Sequence, residues 1–349
     1  MSVARIRLSI LSPIAQKRWH HFKSNKRGFV ALLAFITLFF LSLGAEFIAN
    51  DAPLVVQYEG HYYFPIFKAY PETVFGGDFE TTTNYKDVHV QELIAAKGWM
   101  LMAPVPYSYD TVNYNLPSPA PSGPTRENIL GTDDQGRDVF ARLIYGFRIS
   151  VLFGLTLTLF CSFVGIVAGG VQGYFGGKID LFFQRFIEIW SGMPTLFLLI
   201  ILASFVEPNF WWLLGLMALF SWMSLVSVVR AEFLRARHLD YVKAARALGV
   251  PTFLIMFRHV LPNAMVAVLT YIPFILSGSI ATLTALDFLG FGLPPGSPSL
   301  GEMLAQGKNN LQALWLGFTA LGAISCTLTV LVFIGEAVRD AFDPRKVSR

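Results

Sequence analysis

Six long windows of this chain contain no aspartate, glutamate, lysine or arginine: Gly28 to Ala45, Ile149 to Gly177, Ile189 to Val206, Pro208 to Val229, Val260 to Leu286, and Asn309 to Gly335. A helix crossing a bilayer needs roughly 20 apolar residues at about 1.5 Å each, and each window holds a stretch of about that length. In hydrocarbon the backbone must satisfy its own polar groups, so such windows are read as helices. A composition of 54% hydrophobic and only 14% charged residues agrees. The expected fold class is an all-α polytopic membrane protein with six spans. Phe29 to Ala45 is long for the core of a signal peptide and follows a long tail, so it is read as the first span.

An even number of spans puts both chain ends on one side. The tail before the first span holds Arg5, Arg7, Lys17, Arg18, Lys23, Lys26 and Arg27 with no acid, which the positive-inside rule makes cytoplasmic. Arg345, Lys346 and Arg349 suit the same side. The segment from Asp51 to Arg142 carries twelve acids against six bases, as an exported segment can. The net charge of +4 therefore averages two faces and is no nucleic-acid signature. The expected division is a basic tail (1–28), a first span (29–49), an external insertion (50–147), a transmembrane domain (148–338) with a cytoplasmic loop at 230–263, and a second tail (339–349).

The insertion has an aromatic cluster from Tyr58 to Tyr70 and a link, NLPSPAPSGP, that can only be extended or turned. It reads as a small cap, either a docking surface for a soluble partner or a lid over the pathway. In GTDDQGRDVFARLIYGFRIS, Thr132, Asp133 or Asp134 is the expected helix cap. The three aspartates lack the spacing of a calcium loop, so pairing with Arg137 or Arg142 is expected and no metal site is assigned. GGVQGYFGGKID lacks the phosphate-loop pattern, with Gln172 and Ile179 in its key places. Its glycines suit a tight turn, followed by the amphipathic DLFFQRFIEIW at the interface. Glu207, Pro208 and Asn209 form a short link between spans three and four, and Cys161 and Cys326 are read as small core residues.

The loop between spans four and five reads DYVKAARALGVPTFLIMFRHVLPN. Asp240 is the expected cap, Tyr241 to Leu248 a two-turn helix, Gly249 its left-handed stop, and Pro251 the residue that forbids continuation. Tyr241, Ala244, Ala245 and Leu248 fall at i, i+3, i+4 and i+7, a narrow stripe with a small centre suited to close approach by another surface.

KAARALG, nine residues and HVLP resemble the EAA loop of bacterial ABC importer permeases, whose pattern is Glu-Ala-Ala, three residues, Gly, nine residues, an apolar position, one residue, Leu-Pro. Ala244, Ala245, Gly249, Leu261 and Pro262 occupy matching places; Lys243 stands where the family usually has Glu, and His259 where it often has Ile. GTDDQGRDVFARLIYG, ALDFLGFGLPPGSPSLGEML and RDAFDPR further resemble the C-type permease subunits of dipeptide and oligopeptide importers, with Ala141 where these commonly have Ser. YFP in the insertion, IEIWSGMPTLFL, NFWWLL and SLVSVVRAEFLR are similar to peptide importers that also admit antibiotics of the microcin C type.

The resemblance implies a type I ABC importer transmembrane fold in a bacterial inner membrane. It implies a homologous B-type permease as heterodimer partner, two ATP-binding subunits, and a periplasmic peptide-binding protein, with no cofactor and no nucleic acid. ATPase coupling would then fall to Tyr241, Ala244, Ala245, Leu248, Gly249, Leu261 and Pro262. An ion-coupled secondary transporter, the alternative, would want acids or histidines deep in the spans, whereas Glu46, Glu188, Glu207, Asp287 and Glu336 lie near span ends. An intramembrane enzyme would want a nucleophile and base or a metal pair, and neither HExxH nor GxSxG occurs.

Overall fold

The structure, a computed structural model, describes residues 13–343 apart from 204, 207 and 208. In the basic tail, α1 (Pro13–Ser24) is parted from α2 (Lys26–Leu43) by Asn25, whose side chain accepts from the Gly28 N–H at 3.2 Å. Such a cap satisfies one of the donors a helix start leaves open. A short α3 (Ala45–Ile48) then leads into the insertion.

There β1 (Val55–Tyr58), β2 (His61–Tyr63) and β3 (Gly98–Leu101) form an antiparallel sheet in the order β2-β1-β3, with α4 (Val88–Lys97) between β2 and β3 in sequence. Val56 pairs with Tyr63, and Gln57 with Trp99. So small a sheet is not stable without a packed face. The rings of Tyr58, Tyr63, Tyr70 and Tyr85 supply one by meeting Phe75 edge-on, and Val90 and Ile94 of α4 close the cluster. Tyr58, Tyr63 and Tyr70 of the aromatic run thus join Phe75 and Tyr85 in the core of a small mixed unit, while Tyr62, Phe64 and Phe67 stay exposed, and the proline-rich link carries neither helix nor strand.

The remaining chain is helical: α5 (Val139–Phe175), α6 (Gly177–Ser191), α7 (Thr195–Ala203), α8 (Phe210–Ser221), α9 (Met223–Ala236), α10 (Asp240–Ala247), α11 (Thr252–Leu254), α12 (Leu261–Phe288), α13 (Leu300–Asn309) and α14 (Leu314–Phe342). A π-helical stretch, Ile255–Val260, joins α11 to α12. Five helices among the described residues are long and apolar enough to cross a membrane: Lys26–Leu43, Val139–Phe175, Phe210–Ala236, Thr252–Phe288 and Leu314–Phe342. The expected third span, Ile189 to Val206, is not one of them. Gly192, Met193 and Pro194 part α6 from the nine-residue α7, because proline lacks the N–H a continuing helix needs and disfavours helix in the residue before it. Of the expected short link, Glu207 and Pro208 lie outside the described residues; Asn209 caps α8, accepting from the Trp212 N–H at 2.9 Å.

Two further expectations are corrected. The glycines of GGVQGYFGGKID do not all belong to a turn: α5 runs on through Gly169, Gly170 and Gly173, and the chain turns only at Gly176 and Gly177. Glycine survives there because α9 lies against it. A Cβ at Gly165 would meet Leu225 Cβ at 2.9 Å, one at Gly169 the Val226 carbonyl oxygen at 2.8 Å, and one at Gly173 the Arg230 carbonyl oxygen at 2.5 Å. Small residues four apart let two helix backbones approach closely. Cys161 is core, as expected, but Cys326 is exposed.

These contacts fix relative direction. Residue numbers on α5 and α9 rise together along the seam, so the two helices run parallel. Gly154 meets Leu276 and Ile280 whereas Tyr174 clusters with Ile255 and Val260, so α12 runs antiparallel to both. Gly335 on α14 touches Phe274, and Gly28 on α2 touches Phe333 and Ala337. One end of the bundle thereby gathers α1, α10 and the end of α14. The other end gathers the insertion, where Trp315 Nε1 donates to the Thr132 carbonyl at 3.1 Å.

Candidate functional site

At the end that carries both described termini, α10 lies across the ends of α5 and α9 and the start of α12. Its cap is Leu239, in extended conformation without a side-chain bond, and Asp240 is the first helical residue, not the expected cap. The stop forms as expected one residue later than Leu248: Gly249 has φ +76° and donates to the Arg246 carbonyl at 3.0 Å, while Val250 donates to the Ala245 carbonyl at 3.1 Å. This pair of bonds is a Schellman ending, and Pro251 follows it.

The expected stripe is divided. Val242 and Ala245 are buried in a cluster with Phe233, Ile255 and Val260, so Ala245 anchors the helix and does not face outward. The reason is that α10 seats this side on Phe233 of α9 and on Ile255 and Val260 of the π-helical stretch. Tyr241, Ala244, Leu248 and Gly249 stay exposed, Leu248 at 83% of its full surface. Leu261 packs partly against the same cluster, and Pro262 is exposed at the first turn of α12. Asn263 Nδ2 ties the pieces together, donating to Tyr241 Oη at 2.9 Å and to the His259 carbonyl at 3.2 Å.

Between α8–α9 and α12 lies an open groove of about 270 Å³ at the depth of the spans. Ser221, Ser224, Ser279 and Thr282 give it hydroxyls, and Tyr271 and Phe274 give it rings. The sequence singled out none of these residues; pairs of hydroxyls three residues apart inside apolar helices were the available signal. A Cβ on Gly278, also in the groove, would meet nothing within 4 Å.

At the opposite end a buried ionic cluster holds the insertion to the bundle. Arg137 donates to Asp133 at 2.7 Å, and Arg142 donates to Glu302 at 2.8 Å and to the Ser297 carbonyl at 3.0 Å. Asp133 pairs with both arginines, as expected, but the cap of α5 is Asp138, accepting from the Ala141 N–H at 2.7 Å. Glu302 lies too far along the sequence to have been foreseen. No group of three or more potential metal ligands occurs among the described residues. Nearby, a polar cavity of about 830 Å³ is lined by Asp51, Tyr85, Lys86, Tyr107 and Asn113. Burial lowers the Lys86 ammonium to about 8 against the pull of Asp51, Glu127 and Asp138, and the cation lies over the Tyr107 ring.

A family described as binding-protein-dependent transport system inner membrane component matches residues 162–348. The inner membrane ABC transporter permease protein YejE of Escherichia coli (strain K12) is 59% identical over 339 residues, covering 97% of this chain and 99% of its own. The peptidoglycan transport system permease protein YejE of Agrobacterium fabrum is 58% identical over 362 residues, covering 97% and 95%. The dipeptide transport system permease protein DppC of Haemophilus influenzae is 34% identical over 253 residues, covering 70% and 85%. Likeness along nearly the whole length extends to the insertion as well as the helical bundle, and the chain therefore belongs to the YejE-type inner-membrane permeases of binding-protein-dependent ABC transporters, a transmembrane component and not the catalytic one.

Proposed function

We propose that the chain forms one half of the pathway of an ATP-driven peptide importer and receives the motion of its ATPase partners through α10. The carrying observation is the face of Tyr241, Ala244 and Leu248, left open on a helix whose other side is locked into the core. A helix this short is marginal alone, so its rigidity comes from that packing, and a rigid knob can transmit a displacement. Gly249 ends it, and Leu261 and Pro262 open α12, whose Asn263 ties Tyr241 at the start of the helix to that turn. A homologous B-type permease would complete the groove, a periplasmic peptide-binding protein would deliver substrate to the insertion, and two ATP-binding subunits would seat on α10.

The finer reading is a type I importer fold with six crossings and both termini cytoplasmic. The parallel course of α5 and α9 supports it, since the chain must return across the membrane between them. The division into tail, first span, periplasmic insertion (50–147), transmembrane domain (148–338) with its coupling loop (230–263), and closing tail belongs to this reading. Peptides, including peptide-like antibiotics such as microcin C, are the proposed substrates. The Agrobacterium relative, named for peptidoglycan transport, favours a second class, fragments of peptidoglycan.

Leu248→Asp tests the coupling face. It should insert, assemble and elute like wild type, yet abolish substrate-stimulated ATP hydrolysis by the complex. Wild-type stimulation would remove α10 from the coupling role. Uptake of labelled peptides, microcin C and peptidoglycan fragments, in cells with this importer alone, separates the substrate classes.

A further inference from the structure

Beside α10, on the flank away from Leu248, the ends of α5 and α9 enclose a cavity of about 460 Å³ lined by Tyr174, Phe175, Arg237, His238, Lys243, Arg246 and Thr252. Three cations line it and no carboxylate does. Arg246 donates to Tyr174 Oη at 3.1 Å, and Arg237 donates to the Tyr174 carbonyl at 3.4 Å and to His238 Nε2 at 3.0 Å. Neither arginine has a salt bridge among the described residues, and Lys243 has only the fully exposed Asp240, at 3.4 Å. Gly176, with φ +65°, lets Arg237 cross the turn; a Cβ there would meet its Cζ at 3.1 Å.

Like charges gathered around one space repel each other unless an anion lies between them. Each guanidinium keeps N–H groups beyond these bonds with which to meet an oxyanion, and lysine adds a point charge. The position narrows the choice further. Tyr174 and Phe175 end one spanning helix, Arg237 follows another, and Thr252 begins a third, so the cavity opens at headgroup depth. We propose that it binds a phosphate-bearing anion, supplied by the headgroup of an anionic phospholipid or by soluble phosphate, and so fixes α10 to the ends of the spans. Lys243, where the family usually has Glu, adds to this chain a cation that a glutamate would replace with a repelling charge.

The test uses the full purified chain in detergent, read by native mass spectrometry with short-chain phosphatidylglycerol, short-chain phosphatidylcholine and inorganic phosphate as probes. Retention of phosphatidylglycerol over phosphatidylcholine is expected, with Lys243→Glu weakening it about tenfold or more and Lys243→Arg restoring it. Lys243 is exposed, so its variants should elute as wild type does, and Arg246→Gln gives an independent loss. Binding of inorganic phosphate alone, sensitive to the same variants, would support the proposal with the soluble source. Equal retention of the two lipids with no phosphate bound, or wild-type binding by both Lys243→Glu and Arg246→Gln, would overturn it.

Discussion

Ala244 and Ala245 are adjacent and chemically identical, yet one is exposed and the other is 8% exposed beside Val242. Ala245→Asp would put an unpaired carboxylate among Phe233, Ile255 and Val260, at a cost of several kcal/mol. A lower melting temperature and aggregated detergent eluate are expected, with ATPase coupling failing only as a consequence. Gly249→Val, forced to φ +76°, should cost about 1–2 kcal/mol by the same measurement. Lys86 supplies a pH dependence. Its folded-state value of about 8 lies below the roughly 10.4 of an unfolded lysine, so the unfolded chain binds more protons between these values. Stability should therefore rise as pH increases from about 8 to about 10, once the buried ammonium is neutral. Subtracting the profile of Lys86→Met from that of wild type should leave that slope; a flat difference would mean that the cavity stays wet enough to solvate the charge.

Between elements, the close approach of α5 and α9 depends on Gly165, Gly169 and Gly173. Gly169→Leu would drive a side chain into the Val226 carbonyl and Val229, costing about 1–3 kcal/mol or more, with loss of folded protein in the membrane. Gly278→Leu meets open space, so it should fold normally but narrow the groove and lower uptake. Comparing the two separates a packing glycine from a pathway glycine. The sequence distinguished neither. Five of the six expected spans were legible because burial in lipid leaves a long apolar record, whereas the third is broken at Pro194, and Gly249 was legible because a left-handed stop before proline has few other meanings. The face of Ala245 was not legible, since it depends on how α10 lands on α9. Nor was Asp138 as the cap of α5, since Thr132, Asp133 and Asp134 offered equivalent side chains and only the fold turned Asp133 toward the arginines.

For the molecule as a whole, the decisive question is whether the chain crosses the membrane between α5 and α9. Counting helices of spanning length among the described residues gives five, and an odd number of crossings would put the two ends on opposite sides. Direction argues otherwise. Because α5 and α9 run parallel, the end of α5 and the start of α8 lie at opposite ends of the bundle. On the six-crossing reading proposed above, the chain between those ends covers a bilayer's thickness, roughly 30 Å of hydrocarbon. The segment that covers it includes α6 and α7, broken at Pro194 and apolar from Ile189 onward. Such a break is tolerable in lipid only where neighbouring protein covers the freed backbone groups, and the exposed Ile189 and Phe197 leave a face that the proposed second permease would cover. Reporter fusions at Lys17 and after Arg349 should therefore both read cytoplasmic, and one at Thr81 external. A fusion after Arg349 that reads external, with Lys17 cytoplasmic, would mean that the chain does not return between α5 and α9. In that case α10 and the ATPases it is proposed to meet could not share a side with both termini, and the coupling role would fall with the topology.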